Sequence, residues 1–280
     1  MKVLGRRLSV PVIVGSAGLV IFMLIAALAP WLAPHGPAEA FLLDRLSPPA
    51  WFGGDSSYAL GTDHLGRDML SRLLYGSRIA LAVGFAGVLI AAVIGIVLGL
   101  VSGYFGGIVD TAIMRLVDTL ISIPNVLLYL TVLGVFGPSF GILITVIGLV
   151  NWTTFARVVR AEVLSIKRRE YVEASHASGQ RTHLVLLRHI LPNIGGPIIV
   201  VATLNLATVV ILEASLSFLG LGVQPPTVTW GRMLADGRNY VATAWWLATF
   251  PGVFITMLCL SLILVGDWLR DALDPRLSGQ

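Results

Sequence analysis

Residues 137–141, Gly-Pro-Ser-Phe-Gly, fit the G-x-S-x-G pattern of a nucleophilic serine. That chemistry needs a strand before the serine, a helix after it, and histidine and acidic partners. Here a long apolar run precedes the motif and Pro138 adjoins Ser139, so the stretch reads as a tight turn. His176, His183 and His189 raise the prospect of a metal site. Their separations of seven and six residues do not stack them at i, i+4 on one helical face. They read as solvated histidines or as part of a docking face. Asp118, Glu213 and Asp267 lie in or near apolar runs, and Asp63, Arg67 and Asp68 cluster just before another. These residue types do not assemble into a nucleophile constellation, so no catalytic residue and no metal ligand is assigned.

The elements that must hold these residues are apolar. The chain has 280 residues, 56% of them hydrophobic and 12% charged, with a mean hydropathy of +0.87. Soluble domains carry about 25% charged residues, so an all-α integral membrane protein is expected. The net charge of +4 and pI near 9.6 do not indicate nucleic-acid binding. The arginines flank apolar runs, as membrane orientation requires. The single cysteine, Cys259, excludes an intrachain disulfide and reads as a small buried hydrophobe.

A helix needs about 20 apolar residues to cross a bilayer. Six runs qualify: Val10–Trp31, Ile79–Val101, Ile113–Val135, Phe140–Val159, Gly195–Leu216 and Trp245–Val265. The first is longer than the roughly 7–15 residues of a secretory signal core and reads as a retained span. With the N-terminus in the cytoplasm, inner segments hold 13 of the 19 Lys and Arg residues, which supports both termini inside. Against that bias, Arg67, Arg72 and Arg78 fall outside, partly offset by Asp63 and Asp68. Four units follow: an N-terminal segment (1–60), an outer amphipathic linker (61–77), a five-helix membrane domain (78–267) and a cytoplasmic tail (268–280). Buried acids in spans are functional candidates, so Asp118 and Glu213 are candidates for a translocation path or an interface between subunits. A proton relay would need a basic partner in mid-span, which the sequence does not offer. Gly95, Gly99 and Gly103, four apart, predict close helix packing. Trp245 and Trp246, at a span end, read as interfacial anchors.

Residues 170–193, EYVEASHASGQRTHLVLLRHILPN, are a charged island between spans. Glu170 to Ser178 favours a helix that Gly179 ends. Thr182 is placed to cap a second helix, Leu184, Leu187 and Leu191 share one apolar face, and Pro192 ends it before the next span. A basic loop that only fixes topology requires neither Glu173 nor this break and restart. An element with one greasy and one charged face suits docking into a groove of another protein.

Glu173-Ala174-Ser175, then Gly179, then Ile190-Leu191-Pro192 resembles the EAA signature of the membrane subunits of binding-protein-dependent ABC importers. Ser175 stands where that pattern has alanine. GTDHLGRDMLSRLLYGSR (61–78), RLVDTLISIP (115–124), EASLSFLGLGVQPP (213–226), WGRML (230–234) and GDWLRDALDPRL (266–277) resemble the second permease of dipeptide, oligopeptide and nickel importers. The resemblance implies a type I importer permease fold in a bacterial inner membrane, with an island (coupling loop 160–192) that meets an ATPase subunit through Glu173, Ala174, Ser175, Gly179, Leu187, Ile190, Leu191 and Pro192. It also implies a homologous second permease, two ATPase subunits and an extracytoplasmic binding protein, which Asp63, Arg67 and Asp68 are placed to touch. ATP and magnesium would belong to the ATPase subunits, because this chain has no G-x4-G-K-[ST] loop and needs no cofactor of its own. The implied cargo is a di- or oligopeptide; nickel complexes and glutathione-like peptides are the alternatives. A stand-alone ion-coupled transporter is the competing class.

Overall fold

The computed structural model describes residues 10–273, the His176 side chain excepted, and the backbone of 2–3 and 6–7. Of the tail expected at 268–280, residues 274–280 lie outside the described residues. Apart from an antiparallel pairing of Lys2–Val3 with Arg6–Arg7, the regular structure described is helical. Five helical stretches are long and apolar enough to cross a membrane. They are α1 (Val10–Leu32), α2 (Met69–Phe105), α5 (Phe140–Ile166), the continuous stretch Thr182–Phe218, and α10 (Trp246–Leu273).

The expected third span, Ile113–Val135, is not one straight helix. Gly107–Ser122 (α3) and Asn125–Phe136 (α4) meet at an 84° bend. The bend falls at Ile123-Pro124, where Ile123 is extended, as steric conflict with a following proline dictates. Helix direction shows that this pair still makes one crossing. Gly87 faces Ile147, Gly95 faces Phe155, Gly99 faces Val159 and Gly103 faces Val163. Residue n of α2 thus meets residue n + 60 of α5 throughout, so the two helices run parallel. The intervening chain must return across the bilayer, and α3 with α4 is that return.

The other helices alternate in direction. Gly15 and Gly18 of α1 abut Leu264 and Ser261 of α10, and Gly266 of α10 abuts Leu204 of α8 (Gly195–Phe218), so both pairs are antiparallel. Gly196 lies beside Leu273. The starts of α1 and α8 and the end of α10 therefore share one end of the bundle. We call this the elbow end, because residues 167–194 lie there; the loop of residues 33–68 and the short helix α9 (Trp230–Gly237) occupy the far end.

The centre of the bundle is the α2–α5 seam. A Cβ on Gly99 would lie 2.7 Å from Val159 Cβ and 2.8 Å from the Ala156 carbonyl, and one on Gly103 would lie 2.8 Å from Val163 Cβ. The glycine spacing therefore puts backbone against backbone, as small residues four apart allow. Val83, Val88, Leu143, Val146 and Ile147 complete this core beneath Tyr129 and Leu133 of α4. At the far end Trp230 fills the notch left by Gly76 and donates its indole N–H to the Leu73 carbonyl at 2.9 Å.

Candidate functional site: the elbow and its clamp

The island folds into an elbow built on the ends of α2 and α5. Lys167 Nζ donates to the Gly103 carbonyl of α2 at 2.8 Å, and the chain then turns into α6 (Glu170–Ala177). Gly179 breaks the helix at φ +72° with open space around it, so glycine is needed there for conformation rather than room. The chain resumes at α7 (Thr182–Val185). Arg181, not Thr182, occupies the cap position, and no side chain caps this helix.

Two further expectations are corrected. Pro192 does not stop the helix. A π turn (Leu186–Ile190) and a 3₁₀ turn (Leu191–Ile194) carry the chain through it into α8. Proline removes an N–H and crowds the carbonyl four residues back. Wider and tighter turns on either side absorb that defect. The expected apolar face of Leu184, Leu187 and Leu191 is also split between surface and interior. Val172, Val185, Ile190 and Ile194 are fully buried against Leu100 of α2 and Val159, Val163 and Ile166 of α5. Val185 and Ile190, five apart, share a face only because the π turn inserts one residue. Leu187 is 57% exposed, and Leu184 and Leu191 are half-buried.

The outward surface therefore carries Tyr171, Glu173, Ala174 and Leu187, and also Pro192. Ser175, where the family pattern has alanine, has a partner: its hydroxyl bonds Gln180, whose Oε1 pairs with His189 Nε2 at 2.9 Å. This chain ties α6 to the π turn across the Gly179 break. Of the expected elbow residues, Glu173, Ala174, Gly179, Leu187 and Pro192 are at the surface. Ser175 and Leu191 are half-buried, and Ile190 is inside.

A second cluster joins the elbow's supports, and sequence reasoning missed it. Asp110, in the first turn of α3, receives Arg160 of α5 through two bonds of 2.5 and 2.6 Å and the Ser102 hydroxyl of α2 at 2.5 Å. Three helices thus meet on one carboxylate, two turns of α5 from Lys167. Bidentate charge-assisted pairing is the strong form of this interaction. Asp110 in the first turn of its helix was the available signal, but its partner is 50 residues away. Asp118 also finds a basic partner, Arg157 at 2.6 Å, but both side chains are about half exposed.

Glu213 is buried in α8 and accepts from Ser217 at 2.6 Å. Gly222 packs on Ser217, and Gly231 packs on the Ala214 backbone, which closes the loop and α9 over this segment. Its carboxylate thus faces the chain's own interior rather than an open path.

The far-end trio is likewise internal. Asp63 and Asp68 are 2% and 1% exposed. Asp68 caps α2, accepting from the Ser71 N–H at 2.9 Å. Arg67 pairs with Asp63 at 2.6 Å and reaches Asp236 of α9 at 3.4 Å. Buried Arg72 approaches the same two acids at 3.6 and 3.9 Å. This neutralisation explains how arginines gather at that end. It also corrects the expectation that both carboxylates face a partner, since burial leaves neither available. Tyr58 donates to Asp44 at 3.0 Å, and its own burial with that carboxylate pushes the phenol up to about 12.

Parallel α2 and α5, a bent third crossing and an elbow packed on the helix ends define a helical membrane protein. The chain belongs to the binding-protein-dependent transport system inner membrane component family, whose model matches residues 95–279. Residues 11–49 match the N-terminal transmembrane domain of oligopeptide transport permease C. The chain is 45% identical over 266 residues to the dipeptide transport system permease protein DppC of Escherichia coli strain K12, covering 95% of this chain and 89% of that one. It is 42% identical over 268 residues to the di/tripeptide transport system permease protein DppC of Pseudomonas aeruginosa, covering 94% and 88%. Its fold resembles that of an inward-facing MetNI methionine ABC transporter chain (TM-score 0.59, 22% identity, 74% of this chain and 98% of that one). An amino acid ABC transporter chain is similar at TM-score 0.56 and 14% identity, over 72% and 94% of the two chains. The protein is thus a multi-pass inner-membrane transport subunit of a bacterial ABC importer.

Proposed function

We propose that this chain is one of two homologous permeases of an importer of di- and oligopeptides, with the elbow and both termini in the cytoplasm. The peptide cargo rests on the relatives, which are dipeptide and di/tripeptide permeases over nearly their whole length. A secreted binding protein delivers peptide at the far end. Two ATPase subunits, holding ATP and magnesium, dock at the elbow. The chain itself carries no catalytic group and needs no cofactor.

One observation carries the coupling role: the elbow is exposed on one face and anchored on the other. Glu173, Ala174 and Leu187 are open, while Val172, Val185, Ile190 and Ile194 are locked into the ends of α2 and α5. A push on the outward face cannot be absorbed by a slack loop. Lys167 and the Asp110–Arg160 clamp pass it to α2, α3 and α5 together. The α3–α4 bend and the α2–α5 seam then tilt as a body, and access alternates. Nucleotide drives this only if its bound and free states differ in contact energy at the elbow.

The test is uptake and ATP hydrolysis by the reconstituted four-subunit transporter with its binding protein. Glu173→Lys places a like-charged group among elbow arginines, and Gly179→Val forces a branched side chain into left-handed backbone. Both should abolish dipeptide uptake and peptide-stimulated hydrolysis. Normal values for both variants would overturn the coupling role. Flux through vesicles holding this chain alone, driven by an ion gradient, would overturn the importer reading.

A further inference from the structure

The far-end loop is inside out by the standard of a soluble loop. Its interior is polar: Thr62, Asp63 and Asp68 are buried beside Ser71 and Arg72 of α2. Tyr58 is buried with them, but Trp51 and Phe52 point outward, at 64% and 58% exposure. In water that arrangement wastes the hydrophobic term, whereas in the amphipathic layer at a bilayer surface it is favourable.

The outward placement is built in. Trp51 and Phe52 sit on a one-turn 3₁₀ helix (Ala50–Phe52) that Pro48 and Pro49 enter and Gly53 leaves at φ +87°. The Phe52 and Gly54 N–H groups both return to the Pro49 carbonyl, at 2.7 and 3.2 Å. A Cβ on Gly54 would collide with the Pro48 carbonyl. The turn is therefore stiff, and the two rings are presented rather than left loose.

The level of the turn is also set. Trp51 and Phe52 lie 5.9 and 6.1 Å, ring centre to ring centre, from Trp245. Trp245 immediately precedes α10, a membrane-crossing helix, and so marks its entry into the bilayer. Antiparallel α1 ends at the same level, where Trp31 is 79% exposed. Trp31, Trp51, Phe52 and Trp245 thus lie at one end of the bundle, two of them supplied by a loop that spans nothing.

We propose that residues 48–54 are a membrane-interface anchor, seating Trp51 and Phe52 in the lipid headgroup layer beside Trp31 and Trp245. The occupant of this aromatic face is lipid, by continuity with the span ends it adjoins. That it is the outer leaflet rests on the orientation proposed above; the anchoring does not. The anchor holds the polar far-end loop down over α9 and α10.

The test uses the assembled transporter in lipid nanodiscs. In a Cys259→Ala background, nitroxide labels are placed one at a time by Trp51→Cys and Phe52→Cys. Val253→Cys on the exposed side of α10 and Ser57→Cys in the loop serve as lipid and water references. At 51 and 52, collisions with oxygen should exceed those with a water-soluble nickel chelate, as at 253 and opposite to 57. Adding binding protein should change neither. Water-like accessibility at 51 and 52, or protection appearing only with binding protein, would overturn the proposal. Should the cysteine variants fail to assemble, quenching by brominated lipids decides: Trp51→Phe must lose part of the wild-type quenching, and unchanged quenching refutes the anchor.

Discussion

Replacing Gly99 with leucine tests the α2–α5 seam, because two opposing effects can be weighed from the structure. In an open helix, Gly→Leu gains up to about 1 kcal/mol of helix propensity. At Gly99 the first added carbon already lies 2.7 Å from Val159 Cβ and 2.8 Å from the Ala156 carbonyl. Ordinary carbon contacts are about 3.5–4.0 Å, so the helices must separate by nearly 1 Å, a gap that forfeits a quarter to a half of each contact well. Overpacking costs about 1–3 kcal/mol, occasionally more, and a leucine against backbone belongs at the upper end. The net loss is about 2 kcal/mol, roughly thirtyfold in the folding equilibrium. Gly134→Leu in α4 is the control, since no atom lies within 4 Å of its added Cβ; it should be neutral or stabilising by up to about 1 kcal/mol. Unfolding of the purified chain by SDS in mixed micelles, followed by far-UV circular dichroism, reads both. A Gly99→Leu midpoint equal to or above that of Gly134→Leu would refute the backbone-to-backbone seam.

Asp63→Asn leaves Arg72 buried with one acid fewer, a loss in the range of about 3–5 kcal/mol for a broken buried pair; a sharply lower midpoint in the same titration is expected. A double-mutant cycle on Asp110 and Arg160 should give a coupling of about 1–3 kcal/mol. The same cycle on exposed Asp118 and Arg157 should give about 0–1. Tyr58 should ionise late: its folded pKa lies above the unfolded one, so its contribution is full below pH of about 10 and is lost as pH rises toward 12. Absorbance titration of the chain should lose one late-ionising tyrosine in Tyr58→Phe. Ser175→Ala removes the link to Gln180 and His189, and faster amide exchange across residues 175–190, with the bundle unaffected, is the expected result.

Much of this architecture was legible because hydropathy and glycine spacing are local signals. Five runs of apolar residues became membrane helices, and Gly95, Gly99 and Gly103 became the seam their spacing implied. Gly179 broke the elbow as glycine should. The third crossing was read as straight because an apolar window averages over a bend, although Pro124 marked it. The residues that anchor the elbow were not legible, because 3.6-residue periodicity does not anticipate the π turn that brings Val185 and Ile190 onto one face. The far-end acids were assigned outward because their partner is distant: Asp236 lies 169 residues from Arg67. The Asp110–Arg160 clamp was hidden for the same reason. Ser175 shows the converse, a departure from the family pattern explained by a partner five residues away.

The coupling role proposed above requires the open face of the elbow to meet an ATPase subunit. Its most direct test is photocrosslinking in the assembled transporter, with benzophenone attached through Glu173→Cys or Leu187→Cys in a Cys259→Ala background. Adducts from both positions should carry the ATPase subunit, change in yield with ATP, and be absent when the label sits at Trp51→Cys. An intact complex in which positions 173 and 187 crosslink only to binding protein, or to no subunit, would contradict the account.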